Sequence, residues 1–193
     1  MINSKCIYFF IIVFIFLSTS CDRNSKHEEY YSSGELKWEG LFLDNKKNGK
    51  WINFDKYGNK SRIFTYKDDK LLLKETYIND MLAISEKMNG DVKNGITIVY
   101  YSNGNVKSKS NFINGEQLGE SSEYYENGIL HGKQTYLKDN GLVDLYQYYP
   151  NGKIFVYAKD YRNGIINVYD SLGNQIYDFL KKNNVLVDTL KIY

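Results

Sequence analysis

The sequence predicts an all-β protein, an antiparallel meander of β-hairpins built from about seven repeats of about 24 residues. Three observations carry this. Tyr100-Tyr101-Ser102-Asn103-Gly104 recurs as Tyr124-Tyr125-Glu126-Asn127-Gly128 and again as Tyr148-Tyr149-Pro150-Asn151-Gly152, which sets the glycines 24 residues apart. The chain holds 19 Tyr and 15 Gly but one Pro, and nine of those glycines follow Asn, the strongest short hairpin signal. In Leu36-Lys37-Trp38-Glu39 and Ile96-Thr97-Ile98-Val99-Tyr100, apolar residues recur with the period of two that a half-buried strand requires.

The chain opens on a targeting segment. Met1 to Lys5 is weakly basic, and Cys6 to Leu17 is an unbroken apolar run of 12 residues followed by Ser18, Thr19 and Ser20. That reads as a secretory signal, being short of the roughly 20 residues a spanning helix needs. An uncleaved N-terminal anchor is the alternative. Leu17-Ser18-Thr19-Ser20-Cys21 resembles the lipobox of bacterial lipoproteins, departing from it at Ser18, where Leu is more usual. The resemblance implies that Cys21 becomes the lipidated first residue of the mature chain. It also implies a cell-envelope location, with the outer membrane or cell surface favoured over the inner membrane. The division expected is residues 1–20 as signal peptide, 21–29 as lipidated tether and 30–193 as repeat domain.

Within the repeat region, Gly58 follows Phe54 by four and Gly34 follows Tyr30 by four. One unit has decayed, since Tyr77 is followed at the glycine position by Met81. Tyr169 precedes Gly173, with the spacing from Gly152 shortened to 21. The expected repeat-turn glycines are therefore Gly34, Gly58, Gly104, Gly128, Gly152 and Gly173. Each unit has a second aromatic eight residues after the glycine, at Phe42, Tyr66, Phe112 and Tyr136, with Met88 and Tyr161 one place off. Two turns per unit predict strands of roughly seven or eight residues, about 13 in all, in a sheet about 60 Å wide at ~4.8 Å per strand. A sheet of that width is expected to twist or curl. The Asn-Gly turns suit type I′ geometry, in which both central residues have φ > 0. The segment from Lys181 has lost the motif, and Val185 to Leu190 reads as a terminal cap strand.

This succession of a YYxNG turn, a strand, an FxNG turn and a further glycine resembles the MORN-variant (MORN type 2) repeat over Tyr30 to Tyr177. Proteins with that repeat are commonly labelled YwqK-like, after the antitoxin partner of a toxin–antitoxin module. The resemblance implies a β-repeat fold and an antitoxin- or immunity-like protein partner.

Internal repetition separates structural positions from free ones. The first aromatic of the motif is present in every unit (Tyr30, Phe54, Tyr77, Tyr100, Tyr124, Tyr148, Tyr169), as a packed ladder requires. The next position varies: Tyr31, Asp55, Ile78, Tyr101, Tyr125, Tyr149, Asp170. Strand alternation puts this second row on the other face. Tyr31, Tyr101, Tyr125 and Tyr149 there form a candidate binding strip, the alternative being a face half-buried by curvature.

A net charge of +2 argues against nucleic-acid binding, and two Cys support neither a disulfide framework nor a four-ligand zinc site. His27 and His131 are the only histidines, without an HExxH or a nucleophile elbow. Glu116, Glu120, Glu123 and Glu126 are spread along turns, with nothing to pair two of them as acid and base. Asp44-Asn45-Lys46-Lys47-Asn48-Gly49 has Lys46 at a calcium-ligand position and reads as a polar hairpin turn. No catalytic residue, metal or cofactor is expected. The expected function is a non-enzymatic, membrane-anchored lipoprotein whose repeat surface binds a protein or peptide. The alternative is a surface glycan-binding lipoprotein.

Overall fold

The computed structural model describes residues 24–138 and 141–192, so the apolar leader and Cys21 lie outside the described residues. Alternating segments become fifteen strands. The first eight are β1 (Ser25–Tyr30), β2 (Leu36–Leu43), β3 (Lys46–Phe54), β4 (Lys60–Lys67), β5 (Lys70–Ile78), β6 (Met81–Asn89), β7 (Val92–Tyr100) and β8 (Val106–Ile113). There follow β9 (Glu116–Tyr124), β10 (Leu130–Leu137), β11 (Gly141–Tyr148), β12 (Ile154–Ala158), β13 (Ile165–Tyr169), β14 (Gln175–Lys182) and β15 (Val185–Ile192). They form one antiparallel sheet in strictly sequential order, and every substantial contact between strands joins chain neighbours.

The all-β meander is as expected, with two differences. Fifteen strands replace about thirteen, partly because the expected tether contributes a strand: Ser25 to Glu29 pair residue by residue with Phe42 back to Trp38. Most strands run to eight or nine residues, because the tight turns take up only two.

In the units of Gly34, Gly58, Gly104 and Gly173 the two halves close with different turns. Asp44–Asn45, Asp68–Asp69 and Asn183–Asn184 each have two successive positive φ values, as does Asn114–Gly115, which is the type I′ signature. The YYxNG turns are not type I′, contrary to expectation. At Tyr101–Asn105 only Gly104 is left-handed, at φ 85°, while Asn103 is not. The Gly104 N–H donates to Tyr101 O at 3.0 Å, and the Tyr101 N–H donates to Asn105 O at 2.8 Å. This is a type I turn continued by one left-handed residue, the wider hairpin connection in which glycine is favoured at the last position. Gly34, Gly58, Gly128, Gly152 and Gly173 repeat it, with φ between 80° and 100°.

Residues paired across antiparallel strands point to the same face. One paired row runs from Trp51 through Phe64, Lys74, Glu86 and Thr97 to Ser110, and on through Ser121, Gln134 and Leu145 to Ala158. It passes from aromatic to charged, to hydroxyl, to aliphatic character, and holds most of the buried positions. Trp51 is 3% exposed, Glu86 5%, Thr97 7%, Ser121 5% and Ala158 0%. A register shift occurs in every strand pair except β12–β13, and such bulges increase sheet twist. At the N-terminal end Trp51 lies flat on Gly40, His27 stacks on it at 5.1 Å, and Phe42 meets it edge-on at 4.9 Å.

Candidate functional site

The candidate strip occupies the edge of the sheet that carries the five-residue turns. Tyr31, Tyr101, Tyr125 and Tyr149 are each the first residue of such a turn, just outside the strand, so strand alternation does not govern their direction. Each phenol reaches across one strand to the end of the next unit. The Tyr31 hydroxyl donates to Phe54 O at 2.8 Å, Tyr101 to Tyr124 O at 2.7 Å, Tyr125 to Tyr148 O at 2.7 Å, and Tyr149 to Tyr169 O at 3.0 Å. The rings are half-buried. The inter-unit ladder expected of the first aromatic row is thus made by the second.

Each ring also has a platform six residues on. Lys37 lies 5.9 Å from the Tyr31 ring, Lys107 5.7 Å from Tyr101, His131 4.5 Å from Tyr125 and Phe155 5.0 Å from Tyr149. Cation–π and aromatic contacts at these separations are attractive. The platform was missed at the sequence level because its residue type varies. The fixed spacing of six from the second tyrosine was its one available signal.

The variability of the second position has a chemical explanation. In three of the four tyrosine-bearing units, the third residue of the turn is Asn103, Asn127 or Asn151, and its side-chain oxygen accepts the backbone N–H two residues on. Asn151 also donates to Ser171 O in the next unit, at 2.8 Å. Where Asp replaces Tyr, the Asp takes over this capping. Asp55 accepts from the N–H groups of Tyr57 and Asn59, and Asp170 from those of Leu172 and Asn174. Partial desolvation pushes the Asp55 carboxyl up, but hydrogen bonds from Asn59 and Tyr57 outweigh it and leave the pKa below the ordinary value. Asp170 is lowered as well, mainly by the Asn174 amide.

The decayed unit differs from both patterns. Ile78 stands at the tyrosine position and can donate nothing, and Asn79–Asp80 form a type I′ turn. Tyr77 pairs with Leu82, as Tyr100 pairs with Val106, so the platform position falls on Ala83. Ring and platform are both truncated here, and an apolar pocket of about 160 Å³ opens, lined by Ile78, Met81, Leu82, Ala83, Tyr100 and Tyr101.

Elsewhere, the Glu86 carboxylate is buried between the Lys74 and Lys93 ammonium groups, 2.8 Å from each. Burial pushes its pKa up, but the two lysines more than offset this and hold it below the usual carboxylate range. Next to it, Thr97 Oγ1 is buried without a partner. Among the described residues no group of three His, Cys, Asp or Glu side chains converges as a metal site would require. Glu120 pairs with Lys133 at 2.7 Å, and Glu123 lies 3.8 Å from His131.

The fold and this edge define a class: an open, single-sheet β-hairpin repeat protein whose units are joined turn to turn. Residues 93–114 and 117–138 match the family model described as the MORN repeat variant. These two stretches are the β7–β8 and β9–β10 hairpins, in which the Tyr101 and Tyr125 links are intact. No curated protein matches the sequence. Among solved structures, a crystal structure of an S. aureus TarM mutant in complex with fondaparinux, α-GlcNAc-glycerol and UDP is similar at 17% identity, over 70% of this chain and 21% of that chain, with a TM-score of 0.27. The chain thus spans about a fifth of that structure.

Proposed function

We propose that this chain is a non-enzymatic lipoprotein, anchored through lipidated Cys21 at the outer membrane or cell surface, whose β-repeat surface binds a protein or peptide partner in an antitoxin- or immunity-like role. The observation that carries the binding reading is the open sheet itself. Among the described residues only Trp51, Ile63, Leu71, Leu145 and Ala158 are buried hydrophobics, so the repeats spread their side chains over two broad faces. Arrays in which each unit contacts only its neighbours create extended surfaces suited to interaction. The non-enzymatic reading is supported by the positions of the histidines, since His27 stacks on Trp51 and His131 carries the Tyr125 ring. The anchor is supported by the apolar run Cys6–Leu17 ahead of Ser20-Cys21.

The test is affinity capture with the full chain from envelope fractions of the source cells, followed by lysine cross-linking. One protein retained specifically and cross-linked to Lys109 or Lys133, which share a face through Ser122, is the expected result. Retention of no protein overturns the reading, and specific retention of an oligosaccharide moves it to the glycan alternative. For the anchor, Cys21→Ser is expected to abolish incorporation of labelled palmitate; undiminished labelling excludes lipidation there.

A further inference from the structure

We propose that the pocket at the decayed unit is a receptor site for a tyrosine side chain of a peptide partner, which supplies in trans the ring that the repeat lacks there. The repeat itself describes the missing occupant. In four other units this place holds a phenol that donates to the carbonyl of the last strand residue before the next turn. The equivalent carbonyl here belongs to Tyr100, and among the described residues no side-chain donor is seen to reach it. The ring position is Ile78 and the platform is Ala83, where other units have Lys37, Lys107, His131 or Phe155. The two truncations coincide in this unit and leave a pocket.

Size and polarity agree with that occupant. The volume is about 160 Å³, and a cavity of about 150 Å³ is known to hold a benzene ring. The pocket opens to solvent beside two exposed apolar residues, Ile78 at 61% and Met81 at 45%, which an arriving ring would cover. The Asp55 unit also lacks the phenol and has Ser61 at the platform position, but there the Asp55 carboxylate sits on its own turn, accepting from the Tyr57 and Asn59 N–H groups. Ile78 offers no such substitute. This proposal rests on the peptide-binding reading above for the source of the ring, and adds the place and the chemistry.

The probes are N-acetyl-tyrosinamide, N-acetyl-phenylalaninamide and N-acetyl-leucinamide, titrated into the ¹⁵N-labelled full chain. The tyrosine probe is expected to shift the amides of Ala83 and Ser102 saturably. The phenylalanine probe, lacking the donor to Tyr100 O, is expected to bind about fivefold more weakly, the worth of one ordinary hydrogen bond. The leucine probe is expected to shift them least. Ile78→Tyr is expected to fill the pocket from within, abolish the response and raise the melting temperature by about 2–4 °C. Ala83→Phe restores the kind of platform that Phe155 gives the Tyr149 ring and is expected to strengthen the response. Equal responses to all three probes, a tyrosine response that survives Ile78→Tyr, or one that Ala83→Phe abolishes, overturn the proposal. In the capture experiment, a partner still retained by the Ile78→Tyr variant overturns the pocket while leaving the binding reading intact. A chain that binds the tyrosine probe but captures no protein shows the reverse.

Discussion

At Tyr125 one hydroxyl spans two units, donating to Tyr148 O at 2.7 Å while the ring rests on His131. Tyr125→Phe keeps the ring and removes only that donor. The expected loss is about 1 kcal/mol, or a melting temperature lower by about 2–4 °C, checked by thermal denaturation against Tyr124→Phe as comparison. Gly40 matters for a different reason. A Cβ there would lie 2.3 Å from the Trp51 ring, so Gly40→Ala must push the indole off the strand. We expect a cost of about 1–3 kcal/mol and a red-shifted tryptophan emission; an unchanged spectrum would mean that Trp51 does not lie on this strand. Gly104 needs its left-handed φ, and Gly104→Val is expected to destabilise by about 1–3 kcal/mol, seen as a lower urea midpoint. Gly104 was legible in the sequence because its turn is local and repeated. Gly40 was not, because its requirement comes from a side chain on the next strand.

Turns and strand pairs show where local signals misled. Asn-Gly suggested type I′, yet in the YYxNG turns the asparagine caps the loop and only the glycine is left-handed. Loop length decided the turn type, and length depends on the register of the strands it joins. The exchange of Tyr and Asn for Asp with Tyr57 or Leu172 looked like free variation, but is two ways of satisfying the same backbone N–H, that of the fifth turn residue. Strand β6 carries a pH dependence. The Glu86 pKa is lowered in the folded state, so its contribution to stability is complete above the unfolded value of about 4.3 and lost as pH falls through the lower folded value. Asp55 and Asp170 act with the same sign. Urea unfolding of Glu86→Gln across pH 7 to 3 is expected to show a shallower acid loss than the parent; parallel curves would remove Glu86 from that account.

Across the whole molecule, stability is close to a sum over neighbours, because strand order is sequential and contacts join adjacent strands. Deleting residues 101–124 removes one period and joins Tyr100 to Tyr125, regenerating the motif. The shortened chain is expected to keep its far-UV circular dichroism per residue, with a lower melting temperature; global unfolding would show that the array is coupled over longer range. The sequence by itself determined the strand class, the period, the turn glycines and the position of the decayed unit. Each follows from short-range backbone preference repeated often enough to be read without a partner. Only the tertiary structure decided that the second tyrosine row joins the units, that Trp51 lies on Gly40, that residues 25–29 form a strand, and that Ile78 and Ala83 leave a pocket. Those facts depend on which strands lie side by side and in what register, and register sets contacts between residues far apart in the chain.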